Sequence, residues 1–261
     1  MQALILAAGM GARLGALTEG AAKCMVRLNG RTLIERLLDD LATLDLSRVV
    51  LVVGHGGAGL RAALGDAYRG LPIVYVENPA YRTTNNSYSL ALAVPQLCAD
   101  DTLLLESDLV LDPTILRRCA AASHPAAAVL APLAPWMQGT LALLDADGFI
   151  SRFVPWAERA PAHAAYYKTV NVYRLSRAFS AGCLAPALHA HLAAAGPHDY
   201  YEVVFGALTA RGQARMRAVP VGDCPWYEID TPADLRAAEA LFAEHPDEPS
   251  IAPPRSPSGR P

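Results

Sequence analysis

The sequence has no C-x-x-C spacing, and its five cysteines (Cys24, Cys98, Cys119, Cys183 and Cys224) are an odd number. A disulfide framework is not expected. Incidental buried thiols in a reduced, cytoplasmic protein are. Long apolar runs are also missing. Hydrophobic residues make up 52% of the chain, yet no run approaches the roughly 20 residues of a membrane span. The first residues pass straight into a strand pattern, so no signal peptide is expected. There is no basic stripe and the formal net charge is -3, which argues against nucleic acid or an anionic membrane as partner. No internal repeat is apparent. At 261 residues the chain can bury a sizeable core and fits one large domain.

Two familiar glycine loops are absent as well. No Gly-Lys-Ser/Thr follows the glycines near the N-terminus, so there is no Walker A loop. Gly9-x-Gly11 meets Leu14 where a Rossmann fingerprint needs its third glycine, and Gly15 comes one residue late. What is present is a short apolar run (Leu4, Ile5, Leu6), then Gly9, Gly11, Arg13 and Gly15, then Lys23, then Leu28-x-Gly30 and Thr32 to Glu35. The order describes a strand buried on both faces that feeds a polyphosphate-wrapping loop. The glycines let the backbone approach an anion closely, and successive N–H groups form a concave nest. Arg13 and Lys23 supply charge on opposite sides of the same phosphates. Cys24, among apolar neighbours, reads as a packing residue.

Further along, Leu33, Ile34, Leu37, Leu38 and Leu41 fall at helical spacing. Strands follow at 49–53, 73–76, 102–105 and 126–131, with helices at 58–64 and 87–94. Strands alternating with helices predict parallel βαβ units, with ligands outside the carboxyl ends of the strands. His55, between glycines at one such end, reads as a turn residue. Asn85 and Asn86 open a helix, as N-caps do, but their amides also suit a pyrimidine edge. Glu106-Ser107-Asp108 ends the fourth strand, where a carboxylate can hold Mg²⁺, and Asp112 is placed to cap the next helix. Asp147-Gly148 marks a hairpin turn. Residues 176–194 read as a helix broken near Pro186. His189 and His191 share no helix face, so no metal site is read there. Glu228 and Asp230 project to the same face of an extended segment. Asp230 is also a good N-cap for the helix after Pro232.

The string Leu-Ala-Ala-Gly-x-Gly-x-Arg-Leu…Lys…Leu-x-Gly-x-x-Leu-Ile-Glu-Arg resembles the signature of the nucleotidyltransferases that make NDP-sugars and CDP-alcohols. The resemblance implies that Arg13 and Lys23 bind the triphosphate. It also implies that Leu6, Ala7, Ala8, Gly9 and Gly11 line the nucleotide, and that Asp108 and Asp230 hold Mg²⁺. One departure is Ala22, where the family usually has proline before the lysine. Thr84-Asn85-Asn86-x-x-Ser89-Leu90 is similar to the CTP-using branch, phosphocholine and phosphonate cytidylyltransferases, and implies base and ribose contacts at Asn85, Asn86 and Ser89. Tyr167-Lys168-Thr-Val-Asn171-Val-Tyr173 and Trp136-Met-x-Gly139-Thr140 resemble the phosphonate enzymes in particular. They point to Trp136, Lys168 and Asn171, with Glu202 and Glu228, as acceptor contacts. Lys168 reads equally as a phosphonate ligand or as a solvated charge. Glu202 reads as an amine ligand or as a helix N-terminal acid. Trp136, Trp156, Tyr166 and Tyr167 read as a cation cage or as packing.

The expected fold is α/β: a three-layer, mainly parallel twisted sheet of the Rossmann-like nucleotidyltransferase type. Residues 1–244 form one domain with a small β-rich lid at about 132–170, and 245–261 form a proline-rich disordered tail. The expected reaction moves CMP from CTP to a small phosphonate, such as 2-aminoethylphosphonate or phosphonoformate, and releases pyrophosphate. Phosphocholine and then sugar-1-phosphates are the alternative acceptors, and a silent nucleotide-binding regulatory module is the non-enzyme alternative. A homodimer is left open.

Overall fold

Alternation within the first strand sets the layers. In Gln2–Ala7 (β1), Ala3, Ile5 and Ala7 join one buried cluster, while Leu4 and Leu6 join another on the opposite face. The computed structural model describes residues 1–160 and 165–243. The expected tail at 245–261 lies outside the described residues, as do positions 161–164 of the expected lid.

The chain continues through α1 (Leu33–Leu41), β2 (Val49–Val53), α2 (Gly57–Leu64), β3 (Leu71–Glu77), α3 (Asn86–Leu92) and β4 (Thr102–Glu106). Strands β1, β2, β3 and β4 are parallel, in the order β4-β1-β2-β3. α1 starts where the sequence signals it. Thr32 caps it, and Glu35 reaches back to the Thr32 amide at 2.9 Å, completing a capping box. Its residues Ile34, Leu37, Leu38 and Leu41 pack on the Ala3/Ile5 face, together with Leu60 of α2. Leu90 of α3 packs on the other face. Helices on both sides of the sheet make the three-layer α/β fold that the alternation predicts.

The second half comprises β5 (Leu109–Leu111), α4 (Pro113–Ala120), β6 (Ala126–Pro132), β7 (Leu141–Leu144), β8 (Ile150–Val154), β9 (Tyr167–Leu175), α5 (Ala185–Ala195), α6 (Tyr201–Ala210), β10 (Arg217–Pro220), β11 (Trp226–Glu228) and α7 (Pro232–Leu241). The parallel centre gives way here to an antiparallel flank. β9 pairs with β4 through Val172–Leu175, and with β6 along its other edge. The hairpin β7–β8 turns at Asp145–Gly148, where Asp145 Oδ1 accepts from the amides of Asp147 and Phe149. It is bonded into the main sheet through Leu141–Lys168 and Ala142–Tyr167, so the β-rich segment expected at about 132–170 extends that sheet.

The expected break near Pro186 is a π-helical turn at Ser180–Leu184, which leads directly into α5. That turn accommodates the proline, which has no N–H to donate. The segment Arg177–Ala195 is, among the described residues, the one helix long and apolar enough to cross a membrane by length and composition. Its Leu184 and Leu188 are packed in the core against the Leu4/Leu6 face.

Candidate active site

The carboxyl ends of β1, β3 and β4 open on one cleft, and glycines let the neighbouring loops touch. Gly56, after β2, has φ +65°, and a Cβ there would sit 2.2 Å from the Ala22 nitrogen. The β2 loop is thus pressed against the chain just before Lys23. Gly11 has φ +61°, and a Cβ there would sit 3.0 Å from Lys23 Cγ. Between them, Ala12–Thr18 forms 3-10 turns. Thr18 Oγ1 donates to the carbonyls of Gly11 and Gly15 at 3.0 and 3.2 Å, which fixes the loop.

Lys23 stands at the centre. Its ammonium donates to Asp108 Oδ2 and, at 2.7 Å, to Asp230 Oδ1. Arg13 also reaches Asp230 Oδ1, at 2.8 Å. The ribbon β5–β11 brings the two carboxylates together. Glu228 pairs with Leu109, and the Ile229 amide then donates to the Asp108 carbonyl at 2.9 Å. Asp230 is not the N-cap of α7. Thr231 takes that position and forms a capping box with Asp234, which leaves the Asp230 carboxylate to the cleft. Burial works against the Lys23 charge, but Asp108 and Asp230 outweigh it and hold its pKa above the usual lysine value. Burial likewise opposes the Asp230 charge, and Lys23 and Arg13 together still hold it below the ordinary carboxylate range. Cys24 is pushed up to about 12 by burial, as befits a packing thiol.

The opposite wall carries a second ionic group. Lys168 is only 1% exposed, so it is not a solvated charge. Its Nζ lies 3.3 Å from Glu228 Oε2 and donates to the Thr169 carbonyl at 2.6 Å. Asn171 donates to Glu228 Oε1 at 3.3 Å and accepts from the Thr169 hydroxyl. It does so from a bulge in β9, with φ +60°, an uncommon angle that asparagine tolerates better than most residues. Glu202, 6% exposed, opens α6 beside this pair. Burial lifts its carboxyl to about 7. Burial also raises Glu106, at the end of β4, and the nearby Asp108 and Glu202 add to the rise. Glu202 Oε2 and the hydroxyls of Tyr173 and Tyr201 are buried without a partner at hydrogen-bonding geometry; burial raises both phenols, and the Glu202 and Glu106 carboxylates add to the rise.

These groups share a cleft of about 910 Å³. The cleft is lined by Arg13, Lys23, Asp108 and Asp230, by Leu6, Ala8, Gly9 and Gly11, by Asn85, Asn86 and Ser89, and by Trp136, Lys168, Asn171, Glu202 and Glu228. Ala7 is the exception. It belongs to the opposite face of β1 and packs with Ala3 and Ile5, so it does not reach the cleft wall. Nor do the four aromatics form a cage. Trp136 stacks on Tyr227 at 4.1 Å and 9°, and Arg159 covers the Trp156 ring. Tyr166 and Tyr167 do not line the cleft. His55 does not line it either; its Nε2 lies 3.3 Å from the Thr18 carbonyl, in a turn role. Several lining residues received no role from the sequence, Glu106 and Asn78 among them. Glu106 sits in the quoted Glu-Ser-Asp string but has no distinguishing neighbour there. Asn78, 1% exposed, donates to Thr84 Oγ1 and Ser89 Oγ. Its only sequence signal is the strand-ending Asn-Pro.

Asp108 Oδ1 is buried and has no hydrogen-bond partner. With Asp230 across Lys23, it offers a hard oxygen pair. Among the described residues, no group of three or more His, Cys, Asp or Glu gathers to hold a metal alone. Two carboxylates fit a divalent cation that draws its other ligands from water and phosphates.

Residues 3–202 match the profile of the MobA-like NTP transferase domain. The chain is similar to the CMP-5'-(3-aminopropyl)phosphonate synthase of Streptomyces rubellomurinus, at 39% identity over 249 residues, covering 93% of this chain and 39% of that protein. It is also similar to the 2-aminoethylphosphonate cytidylyltransferase of Lancefieldella rimae, at 35% identity over 109 residues, covering 42% of this chain and 43% of that one. The match thus spans about two fifths of the length of each relative. Among solved structures, the inositol-1-phosphate CTP transferase from T. maritima shares the fold, with a TM-score of 0.72, 21% identity and coverage of 93% of this chain and 95% of that one. The chain belongs to the MobA-like NTP transferase family.

Proposed function

We propose that this protein is a cytidylyltransferase. It transfers CMP from CTP to a small phosphonate that carries an amine, such as 2-aminoethylphosphonate, and releases pyrophosphate. The observation that carries the reading is Lys23, bonded at once to Asp108 and Asp230 at the mouth of the glycine loop. The names of the two relatives support CTP and an aminoalkylphosphonate. The acidic wall supports the amine. Among the described residues, Glu106 and Glu202 have no cationic hydrogen-bond partner, and a purely anionic acceptor such as phosphonoformate would face them unfavourably.

The acceptor oxygen is already anionic near neutral pH, so no general base is needed. The task is to bring two anions together in line. Lys23 stabilises the α-phosphate as charge shifts onto it, and Arg13 with the glycine-loop amides holds the departing pyrophosphate. Both cations exchange carboxylate partners for phosphate oxygens when nucleotide enters. Lys168, steadied by Glu228, faces the phosphonate, and Glu202 faces the ammonium. Asp108 and Asp230 would hold Mg²⁺, which supplies charge neutralisation between the two phosphorus groups.

A pyrophosphate-release screen of four nucleotides against phosphonates, phosphocholine and sugar-1-phosphates tests this. The expected pair is CTP with 2-aminoethylphosphonate. Release only with a sugar-1-phosphate, or with no pair at all, would sink it.

A further inference from the structure

The Thr-Asn-Asn-x-x-Ser string makes contacts that its resemblance does not anticipate. The Asn85 amide donates to the Pro197 carbonyl at 2.7 Å, and Asn85 Nδ2 donates to the His198 carbonyl at 3.1 Å. Ser87 Oγ donates to the Asp199 carbonyl at 2.6 Å. Three consecutive carbonyls are therefore held by the start of α3. Asn86 works in both directions: its Oδ1 accepts from the Tyr201 amide at 2.9 Å, and its Nδ2 donates to Glu106 Oε1 at 3.0 Å. Residues 196–200 connect α5 to α6, which begins at Tyr201 and carries Glu202 in its first turn. Tyr200 and Glu202 line the cleft, whereas Ser87 is 0% exposed and does not.

We propose that Asn85, Asn86 and Ser87 are positioning residues for the acceptor wall, in place of reading the nucleobase. They brace the 197–201 segment and so set where Tyr200 and Glu202 stand. The Asn86 carboxamide also ties that segment to Glu106 at the end of the strand that leads to Asp108. The physical reason is supply and demand in hydrogen bonds. A connecting segment between two helices has backbone groups that need partners when it is packed against the protein. Here the side chains at the N-terminus of α3 supply them. One donor and one acceptor of Asn86 are thereby engaged before any ligand arrives.

This inference rests on the transferase reading, and the experiment separates the two. Steady-state pyrophosphate release is measured for wild type, Asn86→Ala and Ser87→Ala, with CTP and 2-aminoethylphosphonate varied in turn and UTP as competitor. The brace predicts that KM for the acceptor rises about tenfold in each variant, the loss of roughly one buried hydrogen bond. KM for CTP and the preference over UTP stay within about threefold. A rise in KM for CTP or a relaxed base preference, with acceptor KM unmoved, overturns it. So does no change in either constant. If Asn86→Ala does not fold, Ser87→Ala carries the test alone, since it removes one hydroxyl that does not touch the cleft. Amide hydrogen exchange gives a readout that needs no turnover. Tyr201 exchanges faster in Asn86→Ala if the brace holds, and unchanged exchange there counts against it. Inactive wild type with every substrate pair would instead overturn the transferase reading, leaving the exchange result to decide the brace.

Discussion

The Ile229 amide donates to the Asp108 carbonyl at 2.9 Å, and this one backbone bond sets the spacing of the two carboxylates that share Lys23. It continues the β5–β11 ribbon by one step beyond Glu228–Leu109. The two acids are far apart in the chain, yet neither depends on a flexible loop for its position. One leaves a central strand, and the other precedes a helix with its own cap. A rigid pair of this kind is what in-line positioning of two anions requires.

Lys23→Ala removes the ammonium from between Asp108 and Asp230. Turnover is expected to fall about 10²- to 10³-fold, the loss typical of one preorganised donor. The far-UV circular dichroism spectrum should be unchanged. Pyrophosphate release within a fewfold of wild type would remove Lys23 from the chemistry.

Glu202 makes the stability of the ligand-free protein depend on pH. Burial lifts its carboxyl from the ordinary 4.5 to about 7. The fold therefore binds this proton more tightly than the unfolded chain does. Its stabilisation is complete below about 4.5 and is lost as pH rises through about 7. Burial also raises Glu106 and Glu228, and these act in the same direction. The urea midpoint is expected to fall from about pH 5 to about pH 7.5, and Glu202→Gln should make that slope shallower. Equal slopes in the two proteins would show that Glu202 is not a major contributor.

Gly56→Ala places a methyl against the backbone of residues 21 and 22, from a left-handed φ that alanine resists. The loop that presents Lys23 must shift. A destabilisation of about 1–3 kcal/mol is expected from the backbone conformation alone, measured by urea unfolding. A loss of turnover larger than the stability change explains should accompany it. Gly59→Ala is the control, because nothing lies within 4 Å of a Cβ at that position.

Trp136→Ala removes the stack on Tyr227, worth about 0.5–1.5 kcal/mol. The ring, stacked on Tyr227, supports the loop over Lys168, so acceptor KM is expected to rise alike for 2-aminoethylphosphonate and for phosphocholine. A loss confined to phosphocholine would overturn this. Parallel kinetics with the two acceptors distinguish these outcomes.

The parts of the molecule that are legible in the sequence are those fixed by neighbours in the chain. The apolar run of β1, the glycine loop and the Thr32–Glu35 box are all local patterns, and each forms where it is written. Alternation in β1 also explains the misplaced residue: Leu6 and Ala8 reach the cleft, and Ala7, between them, faces the helices. Asp230 is ambiguous in the sequence because Asp and Thr are both good caps. The Thr231–Asp234 box decides it, and that box has the same spacing as the one at Thr32. The partners of Lys168 and Glu106, and the sheet edge that the hairpin joins, are not legible, because they come from distant strands. Nothing near Lys168 in the chain announces that Glu228 will meet it in the interior. Likewise, β7 shows no local sign that it will pair with Lys168 and Tyr167.

The bulge in β9 lets one strand keep two registers against β6, Tyr167–Thr169 in one and Tyr173–Leu175 in the other. The half that joins the parallel core and the half that bears Lys168 therefore follow different registers on the same neighbour. Such a joint lets the ladder on the Lys168 side change while Tyr173–Leu175 keep their own partners on β6.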